Sequence, residues 1–274
     1  MKPLPATLAA ALLLLAQPFS SAAEPPKPLK VLLITGGCCH DYKTQKDVLK
    51  QGLEARLHAT VDQVHSPDGN TTPKLPILGN PAYAKGYDVV IHDECAAGIS
   101  DPAVIDAVLA PHRAGIPAVN LHCAMHSYRI GNPKDKAEAG SDRAKWFEYL
   151  GLQSSGHGPR KPLNISTVAP DHAALAGLSW SEWTTIDEEL YNNIQVLPTA
   201  VPLQSATQKI NDNKTDSGIV TWANDYKGAR VFSTTVGHVN DTVADARYLE
   251  LVARGLVWAT GKSAETYLKP APAK

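Results

Sequence analysis

The sequence predicts an α/β fold built on a doubly wound, mostly parallel sheet. Two observations carry this expectation: short apolar runs alternate with amphipathic stretches through the first half of the chain, and each run stops at a turn of glycine, cysteine, histidine or acidic residues. Composition agrees. The 274 residues are 43% hydrophobic and 19% charged, which suits a globular chain with a sizeable core. A net charge of -1 leaves no basic surface with which to neutralise a phosphate backbone, so nucleic acid is excluded as an expected partner.

The first 23 residues stand apart. Lys2, the apolar run Ala6 to Ala16 and the small residues Ser21-Ala22-Ala23 read as a cleavable signal peptide, with secretion or periplasmic export as its consequence. The run is shorter than the roughly 20 apolar residues a membrane span needs, and no other stretch is longer. Residues 24–274 then form one expected domain, with a core at about 30–262.

Lys30 to Thr35 reads as a strand buried on both faces, ended by Gly36-Gly37. Gln45 to Leu57 repeats its apolar residues at helical spacing. Thr60 to Val64 is the next strand, and a loop rich in proline, glycine and asparagine leads to a third at Tyr87 to His92. Ser100-Asp101-Pro102 opens a helix that stops near Gly115, and Pro117 to Leu121 is the fourth strand. Beyond it the pattern predicts helices at Asp142 to Leu150 and Thr242 to Thr260. Strands are expected at Leu163 to Val168, Gly218 to Trp222 and Arg230 to Val236.

In an open parallel sheet, ligands bind outside the carboxyl ends of the strands. The residues after the expected strands are Gly36 to Asp41, Asp93-Glu94-Cys95, His122 to His126, and Gly237 to Asn240. All four cysteines and four of the ten histidines therefore fall on one edge. Leu121 to His126 has the form of a nucleophile elbow, with Cys123 at its tip. The same cysteines admit a different reading, a disulfide from Cys38 or Cys39 to Cys95 or Cys123.

These residues, in this order, resemble the ThuA-like family, named from bacterial trehalose utilisation, within the class I glutamine-amidotransferase-like superfamily. The resemblance spans Lys30 to Lys262. It rests on Ile34-Thr35-Gly36-Gly37 with His40, Leu121-His122-Cys123-Ala124, Trp146 followed by Leu150-Gly151 and His157, and Asp187-Glu188 with Tyr191. Gly228 to Phe232 running into Gly237-His238, then Arg254-Gly255 with Trp258, completes it.

The resemblance implies a flavodoxin-like sheet and a small-molecule carbohydrate, a disaccharide or keto-sugar, as substrate. Its implied catalytic set is His122, Cys123, His126, Asp187, Glu188 and His238, with Gly37, His40, Trp146, His157 and Tyr191 as substrate contacts. Imidazoles and carboxylates move protons on sugars, and they also ligate a divalent ion such as zinc; His122, His126 and His238 are the expected ligands. Two other readings remain open at this stage. One is a sugar-binding module without catalysis on a degenerated amidotransferase scaffold. The other is a Cys-His hydrolase of Cys123 and His238, although Leu121 and Met125 stand where amidotransferases carry the elbow glycines, and Asn240 stands where they carry a glutamate. Nothing in the sequence sets an oligomeric state.

Overall fold

The computed structural model describes residues 25–270, and the expected signal segment lies outside the described residues. The chain runs through β1 (Leu29–Gly37), α1 (Tyr42–Arg56), β2 (Ala59–Ser66), β3 (Val89–Cys95), α2 (Pro102–Arg113), β4 (Ala118–Leu121) and α3 (Lys145–Leu150). It continues through β5 (Leu152–Lys161), β6 (Asn164–Thr167), β7 (Glu182–Thr184), β8 (Glu188–Val196), β9 (Ala200–Asn211), β10 (Lys214–Tyr226) and β11 (Ala229–Thr234). The helices α4 (Asn240–Ala244), α5 (Ala246–Thr260) and α6 (Ala264–Tyr267) follow.

Nine strands form one sheet in the order β2-β1-β3-β4-β11-β10-β9-β6-β7. The five strands from β2 to β11 pair in parallel, in the flavodoxin-like order expected. From β11 onward the pairing turns antiparallel. β5 and β8 form a separate two-stranded ribbon. No helix among the described residues is long and apolar enough to cross a membrane.

Burial on both faces explains the continuous apolar runs. Along β1, Val31 and Leu33 join one core cluster with Leu49 and Leu53 of α1 and Leu249 and Val252 of α5. Leu32 and Ile34, pointing the other way, join Ile105, Val108 and Leu109 of α2 and Trp146 and Tyr149 of α3. Successive side chains leave a strand on opposite sides, so an all-apolar strand needs a helical layer on each.

Local chemistry sets the element ends. Asp41 accepts the backbone N–H of Thr44, which starts α1 three residues before the expected Gln45. Asp101 caps α2 by accepting from Ala103, with Pro102 in the first turn. The helix expected from Thr242 to Thr260 is two helices. Asp245 has extended backbone and caps α5 by accepting from Arg247. The third strand runs on through Asp93, Glu94 and Cys95, all buried, so these residues are the end of β3 rather than a loop after it.

Candidate functional site

The strand ends of the parallel half converge as the topological rule requires. His40 arrives on the turn after β1; Gly36 and Gly37, the last residues of the strand, have φ of 126° and 100°, and Cys39 in the turn has φ of 84°. The tight passage needs glycine. A Cβ on Gly37 would lie 2.2 Å from the carbonyl oxygen of Cys95.

His122 follows β4 with a left-handed φ of 41° and opens a 3-10 helix, His122–His126. In a three-residue turn, positions four apart do not stack on one face, so this turn separates His126 from His122. The His126 ring instead lies flat on Tyr191, 4.2 Å between centroids, and its Nε2 is 3.0 Å from the Ser154 hydroxyl. His40 takes the expected place of His126 in the cluster. His40, His122 and His238 bring their ring nitrogens within 4.8 Å of one another.

Each imidazole is held from outside the cluster. The His122 Nδ1 is 2.6 Å from the Thr235 carbonyl, which fixes the proton on that nitrogen and leaves the Nε2 lone pair facing the site. That Nε2 lies 3.2 Å from His238 Nδ1. Both oxygens of Glu188 accept the backbone N–H of His238, and Gln45 donates to its carbonyl. Asn240 donates to Asp41, tying the His238 loop to the His40 turn.

The carboxylate that completes the cluster is Glu189, one residue past the expected Glu188. Its Oε2 is 3.6 Å from His122 Nε2 and 3.5 Å from His238 Nδ1, and its Oε1 is 3.4 Å from His157 Nδ1. Glu188 serves the backbone and Glu189 serves the imidazoles. Asp187 pairs with Arg160 at the rim and is not part of the cluster.

Burial disfavours the charged forms of three of these imidazoles, His40, His122 and His126. Burial, and then the neighbouring His238, lower the His40 pKa to about 4. Burial and the charge of His40 hold His122 well below its ordinary value, and burial does the same for His126. Burial opposes ionisation of Glu189, but its hydrogen bond and attraction to His238 outweigh this and hold its carboxyl below the usual range. Burial raises Glu188 to about 7.

The cluster opens onto a depression of about 570 Å³ lined by Cys39, His40, Asp41, Arg160, His238 and Asn240, a volume within the range of small-molecule sites. The expected aromatic contacts do not reach it. Trp146 is 1% exposed and donates from its indole to the Ala124 carbonyl, and Tyr191 is 2% exposed beneath His126. Enclosed rings offer no face to a sugar. Gly37 is also buried, and its role is the close passage of β1 past β3.

Cys123 does not pair with His238. Its Sγ donates to Cys95 Sγ at 2.7 Å, and that bond, together with burial, pushes its thiol up. Both are free thiols, and the disulfide joins Cys38 to Cys39 rather than either of them to Cys95 or Cys123.

The ThuA family model, described as trehalose utilisation, matches residues 30–259. No curated protein matches the chain. Among solved structures, a ThuA-like protein from Parabacteroides merdae is 22% identical with a TM-score of 0.65, covering 86% of this chain and 91% of its own. Another, from Bacteroides uniformis, is 14% identical with a TM-score of 0.58, covering 89% and 95%. A carbohydrate deacetylase, Agd3, is 14% identical with a TM-score of 0.54; the match covers 85% of this chain and 32% of the deacetylase.

Proposed function

Because the chain belongs to the ThuA family, its site is read as a sugar site, and we propose that His40, His122, His238 and Glu189 bind one divalent ion such as zinc for acid-base chemistry on a disaccharide or keto-sugar. One observation carries this reading. The His122 Nε2, the His238 Nδ1 and the Glu189 Oε2 stand 3.2 to 3.6 Å apart. Ligands about 2.0–2.1 Å from a tetrahedral zinc are themselves separated by about 3.3 Å. His40 supports the fit, because its Nδ1 is buried with no hydrogen-bond partner.

An ion held there would polarise a sugar hydroxyl or carbonyl oxygen and ease removal of a proton beside it. The protein groups divide the remaining work. Three neutral imidazoles and one carboxylate leave part of the ion's charge available to substrate. Thr235 and Glu188 orient their histidines from behind, as ligand supports do in metal sites. His157 is exposed and touches Glu189, so it is the group that exchanges protons with a bound sugar. The fold family of a carbohydrate deacetylase is compatible with such chemistry. Export through the N-terminal segment belongs to the same proposal.

Elemental analysis of purified protein tests it. About one divalent ion per chain is expected, lost in His238→Ala, together with turnover of at least one member of a panel of disaccharides and 3-keto-sugars. An ion-free protein that cannot be loaded overturns the metal reading, and an unchanged panel overturns the catalytic one.

A further inference from the structure

We propose that the four cysteines form a thiol-disulfide exchange chain that carries a disulfide between the surface and a buried pair beside the candidate site. Each sulfur adjoins the next. Cys39, exposed and lining the depression, is bonded to Cys38. Cys38 Sγ lies 3.4 Å from Cys95 Sγ, and Cys95 Sγ lies 2.7 Å from Cys123 Sγ. Cys95 and Cys123 are buried with Tyr42 over them, and among the described residues Cys38 is the sulfur that joins them to the exposed end.

The backbone builds this arrangement. Gly37 pairs with Cys95 in the parallel ladder, and its missing Cβ lets the next residue, Cys38, turn over the end of β3. Sulfurs brought this close are within reach of the exchange reaction, in which a thiolate attacks a disulfide sulfur and expels the other as thiolate.

Two such steps move the bond. Cys95 gives its proton to solvent and its thiolate attacks Cys38 Sγ; the Cys38–Cys95 bond forms, the Cys38–Cys39 bond breaks, and Cys39 leaves as a thiolate that takes a proton back from solvent. The Cys123 thiolate then attacks Cys95 Sγ; the Cys95–Cys123 bond forms, and Cys38 leaves and takes up the proton that Cys123 released. Cys95 and Cys123 lose two electrons and Cys38 and Cys39 gain them, so no outside oxidant is consumed. The two ends of the chain adjoin His40 and His122, which places the disulfide's position next to the candidate ligands in sequence.

Disulfide mapping tests the chain independently of any metal. The whole protein, carrying one disulfide per chain, is equilibrated in glutathione buffers, quenched in acid, alkylated and mapped by mass spectrometry. Both Cys38–Cys39 and Cys95–Cys123 are expected, in one ratio from either starting form. Cys123→Ser should accumulate Cys38–Cys95 with Cys39 alkylated. Cys39→Ser, at an exposed position, should link Cys38 to Cys95 on mild oxidation and transfer that bond to Cys123. Cys95 and Cys123 remaining thiols throughout, with Cys38 unlinked to Cys95 in Cys39→Ser, overturns the proposal. So does zinc retained by the reduced thiols in His238→Ala, which would make the sulfurs a metal site.

Discussion

Glu188 accepts the backbone N–H of His238 with both carboxylate oxygens, at 3.0 and 3.1 Å, while fully buried. A carboxyl out of water is hard to ionise, and its pKa stands raised from 4.5 to about 7. The folded chain therefore binds this proton more tightly than the unfolded chain. The resulting stability is complete below about pH 4.5 and is lost as pH rises through 7, a change of about 3 kcal/mol. Glu188→Gln keeps an acceptor oxygen and does not titrate. Its stability relative to wild type should rise by that amount between pH 4.5 and 7.5 in denaturant titrations, and a difference that stays flat contradicts the assignment.

Glu189→Gln should behave differently. It leaves the His238 backbone in place but removes the charge facing His122 and His238. Ion affinity should fall by more than about 100-fold, beyond the loss typical of supporting residues. His126→Gln should retain the ion, because His126 faces Ser154 and Tyr191. Calorimetric titration of the two variants with zinc separates these outcomes; equal losses would return His126 to the ligand set.

Trp146→Phe removes the indole N–H given to the buried Ala124 carbonyl, which keeps the Ser127 backbone N–H as its other donor. The cost of the lost hydrogen bond should be about 0.5–1.5 kcal/mol of stability. Sugar affinity should not change, since the ring is enclosed. A weaker affinity at full stability would mean that the ring reaches the ligand.

Gly37→Ala should be among the most damaging single changes. The new Cβ would meet the Cys95 carbonyl at 2.2 Å on a backbone with φ of 100°, so the loss should exceed about 2 kcal/mol. Thermal unfolding measures it, and a variant that melts with wild type contradicts the close packing.

His112 lies fully buried on α2, with Nδ1 2.8 Å from the Ile116 carbonyl and Nε2 3.1 Å from His92. Burial first, and the adjacent His92 second, lower its pKa to about 3. A depressed histidine contributes stability above pH 6.5 that is lost as pH falls toward 3. Its ring NMR shifts should stay those of neutral imidazole at pH 5, and a titration near 6.5 contradicts this.

The parallel half was legible because burial on two faces leaves unbroken apolar runs, as in β1 and β3. The antiparallel half was legible only in part, at β6, which falls inside the expected strand Leu163 to Val168. β9 and β10 mix polar and apolar residues, β9 holds Pro202, and only Gly218 to Trp222 of β10 stood out. β5 and β8 left no strand signal, so nothing in the sequence distinguished Glu189 from Glu188, and both are buried in β8. The strand-end rule found His40, His122 and His238 because it depends on topology. It could not rank His40 above His126 as a ligand, since that choice follows from the 3-10 geometry after β4.

The pairing of β8 with β5 is irregular, with register shifts at three places. Such a ribbon could slip by one residue, and a slip of one turns every side chain to the opposite side. Here that error would set Glu188 among the imidazoles, leave Glu189 beneath the 237–238 backbone and strand both charges away from their partners. Two adjacent acids with different tasks thus act as a key for the alignment of the ribbon, so the chemistry of the site also proofreads the fold that builds it.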